Sequence, residues 1–279
     1  MTPFEAVILG IIQGLTEFIP ISSTAHLKVI PVLLGWKEPG AAFTAVIQIG
    51  TWVASVIYFW GDIVRLTRGF VLGLYQRKPL LTAESRLAWL IIVGTIPIVL
   101  AGLLLEKHIK GPLRSLYVIA FAAIGFAILL LAAEWFMRRR REPGKGLYQV
   151  DLVETLAVGL AQTLALIPGA SRSGVTITAG LFAGLSRETA ARFSFLLSLP
   201  AVLGAGLYQL YKERDTLLSG QEAVINLAIA TVVSGVVGYA SIAFLLGYLR
   251  RNTTMVFIVY RIALGLTLFA LLYRGVLQP

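Results

Sequence analysis

Long apolar runs alternate with short polar breaks along this chain, and run length sets the first expectations. Five uncharged runs, 43–60, 87–105, 115–133, 193–211 and 223–249, are each long enough for a helix to cross a bilayer, which takes roughly 20 residues. A sixth, 255–273, is interrupted by Arg261. Two other apolar segments are patterned differently. Residues 4–34 are broken by Glu17, Pro20, Ser22, Ser23, His26 and Lys28, and residues 152–185 by Glu154, Pro168, Gly169, Arg172 and Gly174. Each reads as two helical arms too short to cross, joined by a turn. A re-entrant hairpin of this kind persists at membrane depth only where protein or water satisfies the turn's backbone. The pattern therefore predicts an all-α polytopic membrane protein with six transmembrane helices and two re-entrant helical hairpins.

The two halves share an order of features. Gly10 and Gln13 match Gly159 and Gln162, and Ile19-Pro20 with Ser23 matches Ile167-Pro168 with Ser171 at equal Pro-to-Ser spacing. Phe43-Thr44 leading to Tyr58 matches Phe193-Ser194 leading to Tyr208. Three spans follow each hairpin. The expectation is one integral membrane domain, 1–279, with an internal repeat of 1–137 and 151–279.

Charge orients this arrangement. Arg65, Arg68, Arg77, Lys78 and Arg86 follow the first span, Arg138 to Arg141 and Lys145 the third, and Arg250 and Arg251 the fifth. These alternate loops share one side, which the positive-inside rule makes cytoplasmic. Both termini are then expected outside. The first hairpin enters from outside and the second from the cytoplasm, giving repeats of inverted topology whose elements converge near the midplane.

Composition narrows the classes. Only 14% of residues are charged, against about 25% in soluble domains. The formal charge of +10 sits in the loops between spans, so no nucleic-acid partner is expected. With no cysteine, disulfides, thiolate metal sites and cysteine catalysis are excluded. The N-terminus lacks a basic n-region, so no cleavable signal is expected.

The candidate chemistry lies in the two polar breaks, because ionisable groups in membrane-embedded sequence are costly and functional by default. Gln13 and Glu17 are four residues apart on one helical face. Glu17 suits a general base or a metal ligand, with Gln13 orienting it or touching substrate. Ser22, Ser23 and Thr24 stand at a turn after Pro20, where hydroxyls cap helices and free amides attract anions. His26, in the next turn, is a candidate acid, base or nucleophile. In the second break, Ser171, Arg172, Ser173, Gly174 and Thr176 form a turn and helix start. The guanidinium suits phosphate, and glycine permits close backbone approach. Together the groups favour a phosphorylated anion. Glu134 and Arg261 are candidates to pair with each other or with Glu17. Gln48 and Gln162 are candidates to bridge helices, and His108 falls in a polar loop.

Gln13-x-x-x-Glu17 followed by Pro20-x-Ser-Ser-Thr-x-His26 resembles the N-terminal motif of bacterial undecaprenyl-pyrophosphate phosphatases of the bacitracin-resistance type. Pro168-Gly-x-Ser-Arg-Ser-x-x-Thr176 resembles their second motif. Many members carry Glu where this chain has Gln13. The resemblance covers essentially the whole chain. It implies a multi-pass phosphatase of the bacterial inner membrane, with a site open to the periplasm, a homodimeric assembly, and activity with a divalent cation such as Mg2+ or Ca2+. The substrate it implies is undecaprenyl diphosphate, a polyprenyl diphosphate lipid of the C55 class. Its hydrolysis to the monophosphate recycles the lipid carrier of peptidoglycan synthesis and confers bacitracin resistance.

The residues assigned to that chemistry are Glu17, Ser23, His26 and Arg172 as catalytic groups, with Glu17 also a metal ligand. Gln13, Ser22, Thr24, Ser171, Ser173, Gly174 and Thr176 are assigned to substrate. Ser23 is the preferred nucleophile with Glu17 or His26 as its base, and His26 or water remain alternatives. The competing class is a lipid-phosphate carrier or flippase, since inverted repeats with broken helices also build transporters. A carrier needs Arg172 but has no need of a nucleophile.

Overall fold

The computed structural model describes residues 1–105, 115–140 and 143–277; His108 and Arg141 lie outside them. It is built from α-helices, with no named strand among the described residues. Helix α1 (Pro3–Phe18) starts in a capping box, Thr2 Oγ1 accepting from Glu5 N and Glu5 Oε2 from Thr2 N, and stops before Pro20. Helix α2 (Ser23–Leu33) follows a four-residue turn. Next come α3 (Gly40–Tyr58), α4 (Trp60–Tyr75), α5 (Ala83–Leu104) and α6 (Leu116–Arg139). The second broken segment holds α7 (Leu152–Thr163), a 3-10 turn (Leu164–Leu166) and α8 (Arg172–Phe182). Three long helices close the chain: α9 (Arg187–Lys212), α10 (Gln221–Leu249) and α11 (Met255–Tyr273). Six helices, α3, α5, α6, α9, α10 and α11, are long and apolar enough to cross a membrane, and they coincide with the six runs of the sequence. The stretch after the first span, expected as a basic loop, folds instead into α4. That helix packs on α5 with Gly69 and Gly73 set against Glu84 and Ser85, and its arginines stay outward.

Ion pairs collect at one end of the bundle and identify which helix ends share a face. Asp62, just after α3, pairs with Arg192 near the start of α9 at 2.8 Å. Glu134, near the end of α6, takes Arg187 at 2.7 Å and the Thr254 amide and hydroxyl at the start of α11. Arg250, after α10, pairs with Glu188, and Arg86 of α5 donates to the Tyr148 carbonyl. The basic loops thus gather on one face. At the opposite face Asn226, near the start of α10, donates to the Met1 carbonyl.

The two broken segments open from these opposite faces. Trp36, beyond α2, returns to meet Phe4 at the start of α1, ring centroids 6.2 Å apart. Lys145, ahead of α7, forms a bridge with the chain after α8, donating to the Gly184 carbonyl and accepting from Ser186 N. Close packing seats both arms. A Cβ at Gly10 of α1 would stand 2.7 Å from the Ala230 carbonyl oxygen of α10, and one at Gly159 of α7 2.5 Å from the Gly94 carbonyl oxygen of α5. Small residues that admit such contact are how helices associate within a membrane.

Candidate functional site

Both turns end in a serine forced into the left-handed region. Ser22 has φ 76° and Ser171 φ 66°, and each caps its helix: Ser22 Oγ accepts from Ala25 N and Ser171 Oγ from Gly174 N. Left-handed backbone is costly for a residue with a Cβ and clusters at functional sites. Counted by cap, the partner of Ser171 is Ser22, one residue earlier than the Pro-to-Ser spacing indicated. The Ser23 hydroxyl is therefore free of capping duty. Gly169 turns the second segment at φ 93°, and a Cβ there would stand 2.5 Å from the Ile119 carbonyl oxygen of α6. Only glycine meets both demands.

Glu17 is the centre on which both turns converge. Its Oε1 accepts from Arg172 at 2.7 Å, across 155 residues of sequence. Its Oε2 accepts from Gln13 Nε2 at 2.8 Å and from Ser23 Oγ at 2.9 Å. The carboxylate is buried at 7% exposure, so these three donors offset its desolvation. A cavity of about 180 Å3 adjoins it, with Glu17, Ser22, Ser23, Thr24, Ser171 and Arg172 in its wall together with Gln48 and Gln162. Three buried polar atoms of residues lining this cavity have no partner among the described residues: Arg172 Nη1 and both amide atoms of Gln162. Gln13, expected to touch substrate, is not in the wall; its Oε1 is likewise buried without such a partner. Such atoms are rare in folded proteins, and three in one cavity wall point to a polar ligand.

Not every expected residue reaches the cavity. His26 does not line it. Its Nδ1–H donates to the Ser22 carbonyl at 2.7 Å, which leaves Nε2 to accept from the Tyr260 hydroxyl at 2.6 Å, and the two rings stack. Thr176 turns back on its own helix, donating to the Arg172 carbonyl and pairing with Ser194. Ser173 pairs with Ser171 Oγ, and Gly174 gives room to Arg261, whose Nη1 would stand 2.5 Å from a Cβ there. Glu134 and Arg261 pair neither with each other nor with Glu17. Arg187 and Thr254 take Glu134 at the basic face. Arg261 donates to the carbonyls of Ala122, Ala123, Gly169 and Ala170. Gln48 and Gln162, expected to bridge helices, line the cavity; the match between Gln162 and Gln13 was the available signal.

Among the described residues no group of three or more His, Cys, Asp or Glu side chains comes together. A hard cation bound with a phosphorylated substrate needs less, commonly one or two carboxylates plus phosphate oxygens. Glu17 and the unpartnered Gln13 Oε1 fit that requirement.

Comparison with known proteins shows the family. The family profile described as bacitracin resistance protein BacA matches residues 6–267. A protein of Chlorobium phaeobacteroides strain BS1 named undecaprenyl-diphosphatase is 57% identical, over 100% of both chains. Proteins of the same name from Prosthecochloris aestuarii and Chloroherpeton thalassium are 56% and 55% identical, covering 100% of this chain and 100% and 99% of their own.

Proposed function

We propose that this chain, which belongs to the bacitracin resistance protein BacA family, hydrolyses undecaprenyl diphosphate to undecaprenyl phosphate and inorganic phosphate. The observation that carries the reading is the Ser23 hydroxyl, 2.9 Å from a buried carboxylate whose other oxygen is held by Arg172. A nucleophile, its base and a phosphate-binding cation meet at one cavity wall.

Arg172 receives the diphosphate through the donors of its unpartnered Nη1. As the guanidinium turns to phosphate, its hold on Glu17 slackens and the carboxylate is freer to take the Ser23 proton. Ser23 Oγ then attacks the terminal phosphorus. The Ser23 O–P bond forms, the bridging P–O bond breaks, and the bond's electron pair leaves with the lipid monophosphate. Glu17 passes that proton to the departing lipid phosphate. It next takes a proton from water as the water oxygen attacks the phosphoserine phosphorus, the Ser23 O–P bond breaks, and Glu17 returns the proton to Ser23 Oγ as inorganic phosphate is released. A divalent cation, Mg2+ or Ca2+, held by Glu17 and Gln13 Oε1, would neutralise phosphate charge. His26, with both ring nitrogens engaged, positions the Ser22 turn.

The bundle's faces support a reading of location. The basic face is assigned to the cytoplasm, the two broken segments to re-entrant hairpins, and 1–137 and 151–279 to inverted repeats. The packing of α1 on α10 and of α7 on α5 supports the repeat. At about 1.5 Å per residue, Gln48 lies roughly 12 Å in from the start of α3 and Ile98 roughly 9 Å in from the end of α5. Both ends belong to the face opposite the basic one, so the site opens to the periplasmic side of the inner membrane. A homodimer is the proposed assembly, and lipid-carrier recycling for the cell wall, with bacitracin resistance, is the proposed role. The Ser23–Glu17 contact favours hydrolysis over the carrier reading. Purified protein given undecaprenyl diphosphate and Mg2+ or Ca2+ is expected to release phosphate. Transfer of the lipid between leaflets without phosphate release, under either cation, would overturn the enzyme reading.

A further inference from the structure

The substrate is an amphiphile, and its apolar chain must leave the polar cavity somewhere. A second depression of about 430 Å3 lies on the flank of α6, lined by Val118, Phe121, Gly125, Phe126, Leu129 and Ile167 among others, with no polar side chain. Ile167 is also part of the polar cavity's wall. One side chain at the second turn is thus common to a polar pocket and an apolar groove. From Val118 the groove follows α6 for roughly 16 Å toward the basic face, the direction a lipid's tail takes when its headgroup enters from the other side. Phe121 and Leu129 stand exposed along it. Gly125 leaves open space, for a Cβ built there meets nothing within 4 Å.

Resting on the phosphatase reading, we propose that this groove binds the isoprenyl chain of the substrate, with Ile167 as the threshold between headgroup and tail. Apolar contact along α6 selects long chains, while the polar cavity selects the diphosphate. Gly125 keeps the groove open and so sets how much chain is held.

Gly125→Phe fills the groove without meeting backbone. Phosphate release in detergent is followed from undecaprenyl diphosphate and from geranyl diphosphate, whose chain is too short to run the groove. The variant is expected to raise KM for the long substrate about tenfold, the loss of roughly two buried methylenes, and to change kcat/KM for the short one less than about twofold. An equal loss on both substrates would assign Gly125 to folding or to the headgroup site. No change on either would assign the groove to ordinary bilayer lipid, the tail then leaving between α5 and α9. Both results overturn the proposal. A second variant, Gly125→Cys, uses a chain with no cysteine of its own. Undecaprenyl diphosphate is expected to slow its alkylation by a maleimide, and equal protection by geranyl diphosphate would overturn the assignment. Wild-type protein that releases phosphate from neither substrate would sink the phosphatase reading itself, and the groove's role with it.

Discussion

At the scale of single residues, the site turns on who holds Glu17. Three donors share one buried carboxylate, and two of them have other work in the reaction proposed above. Ser23 acts in the bond-making step alone, whereas Arg172 also binds the diphosphate before reaction. Interactions made only in the transition state lower kcat, and those made in both states also weaken binding. Ser23→Ala is therefore expected to lose at least about 100-fold in kcat with KM for undecaprenyl diphosphate nearly unchanged. Arg172→Ala should lower kcat and weaken binding together, and it leaves the Glu17 charge buried with one partner fewer. Steady-state phosphate release paired with equilibrium lipid binding separates the two. A Ser23→Ala variant with near wild-type turnover would pass the nucleophile's role to water.

At the scale of elements, what was legible in the sequence was cost. Glu17, Ser23 and Arg172 stood out because polar atoms are expensive in apolar runs, and the six long helices because bilayer thickness fixes their length. Partnership was not legible. His26 meets Tyr260 across 234 residues, and no local pattern marks that tyrosine. Ser22 rather than Ser23 caps α2 because a backbone angle decides it, and a run of three hydroxyls does not record that angle. Arg261 was visible as an interruption, but its four carbonyl partners lie on α6 and the second turn. Arg261 and its neighbour Tyr260 together tie α11 to both broken segments. Arg261→Met would strip donors from those carbonyls; Ala122 and Ala123 keep their bonds within α6, so the cost of about 1–3 kcal/mol for each buried acceptor left unsatisfied falls on Gly169 and Ala170. It is expected to lower the unfolding temperature and cut kcat at least tenfold (about 1.4 kcal/mol) by loosening the turn that carries Arg172. Arg261→Lys, keeping the charge and some donors, should recover part of both. Wild-type turnover in Arg261→Met would show that the turn holds without it.

At the scale of the whole molecule, the direction in which the cavity opens decides which leaflet it serves. Two independent things fix that direction. Contacts among Asp62, Glu134, Arg187, Arg192, Glu188 and Arg250 put the basic loops on one face, whatever the membrane does. The positive-inside rule then assigns that face to the cytoplasm, because Lys- and Arg-rich loops are retained there. The cavity lies toward the other face, and in the proposed orientation a lipid diphosphate in the outer leaflet would reach it without crossing the bilayer. Single cysteines test the second of these cleanly in a chain that has none. Arg251→Cys sits in the basic loop between α10 and α11, and Asp215→Cys in the connection between α9 and α10 at the opposite face. In intact cells an impermeant maleimide is expected to label position 215 and to reach position 251 only after the membrane is opened. The reverse pattern would turn the molecule over and place the cavity before the cytoplasmic leaflet, leaving the ion-pair face and the chemistry of Glu17, Ser23 and Arg172 as they stand.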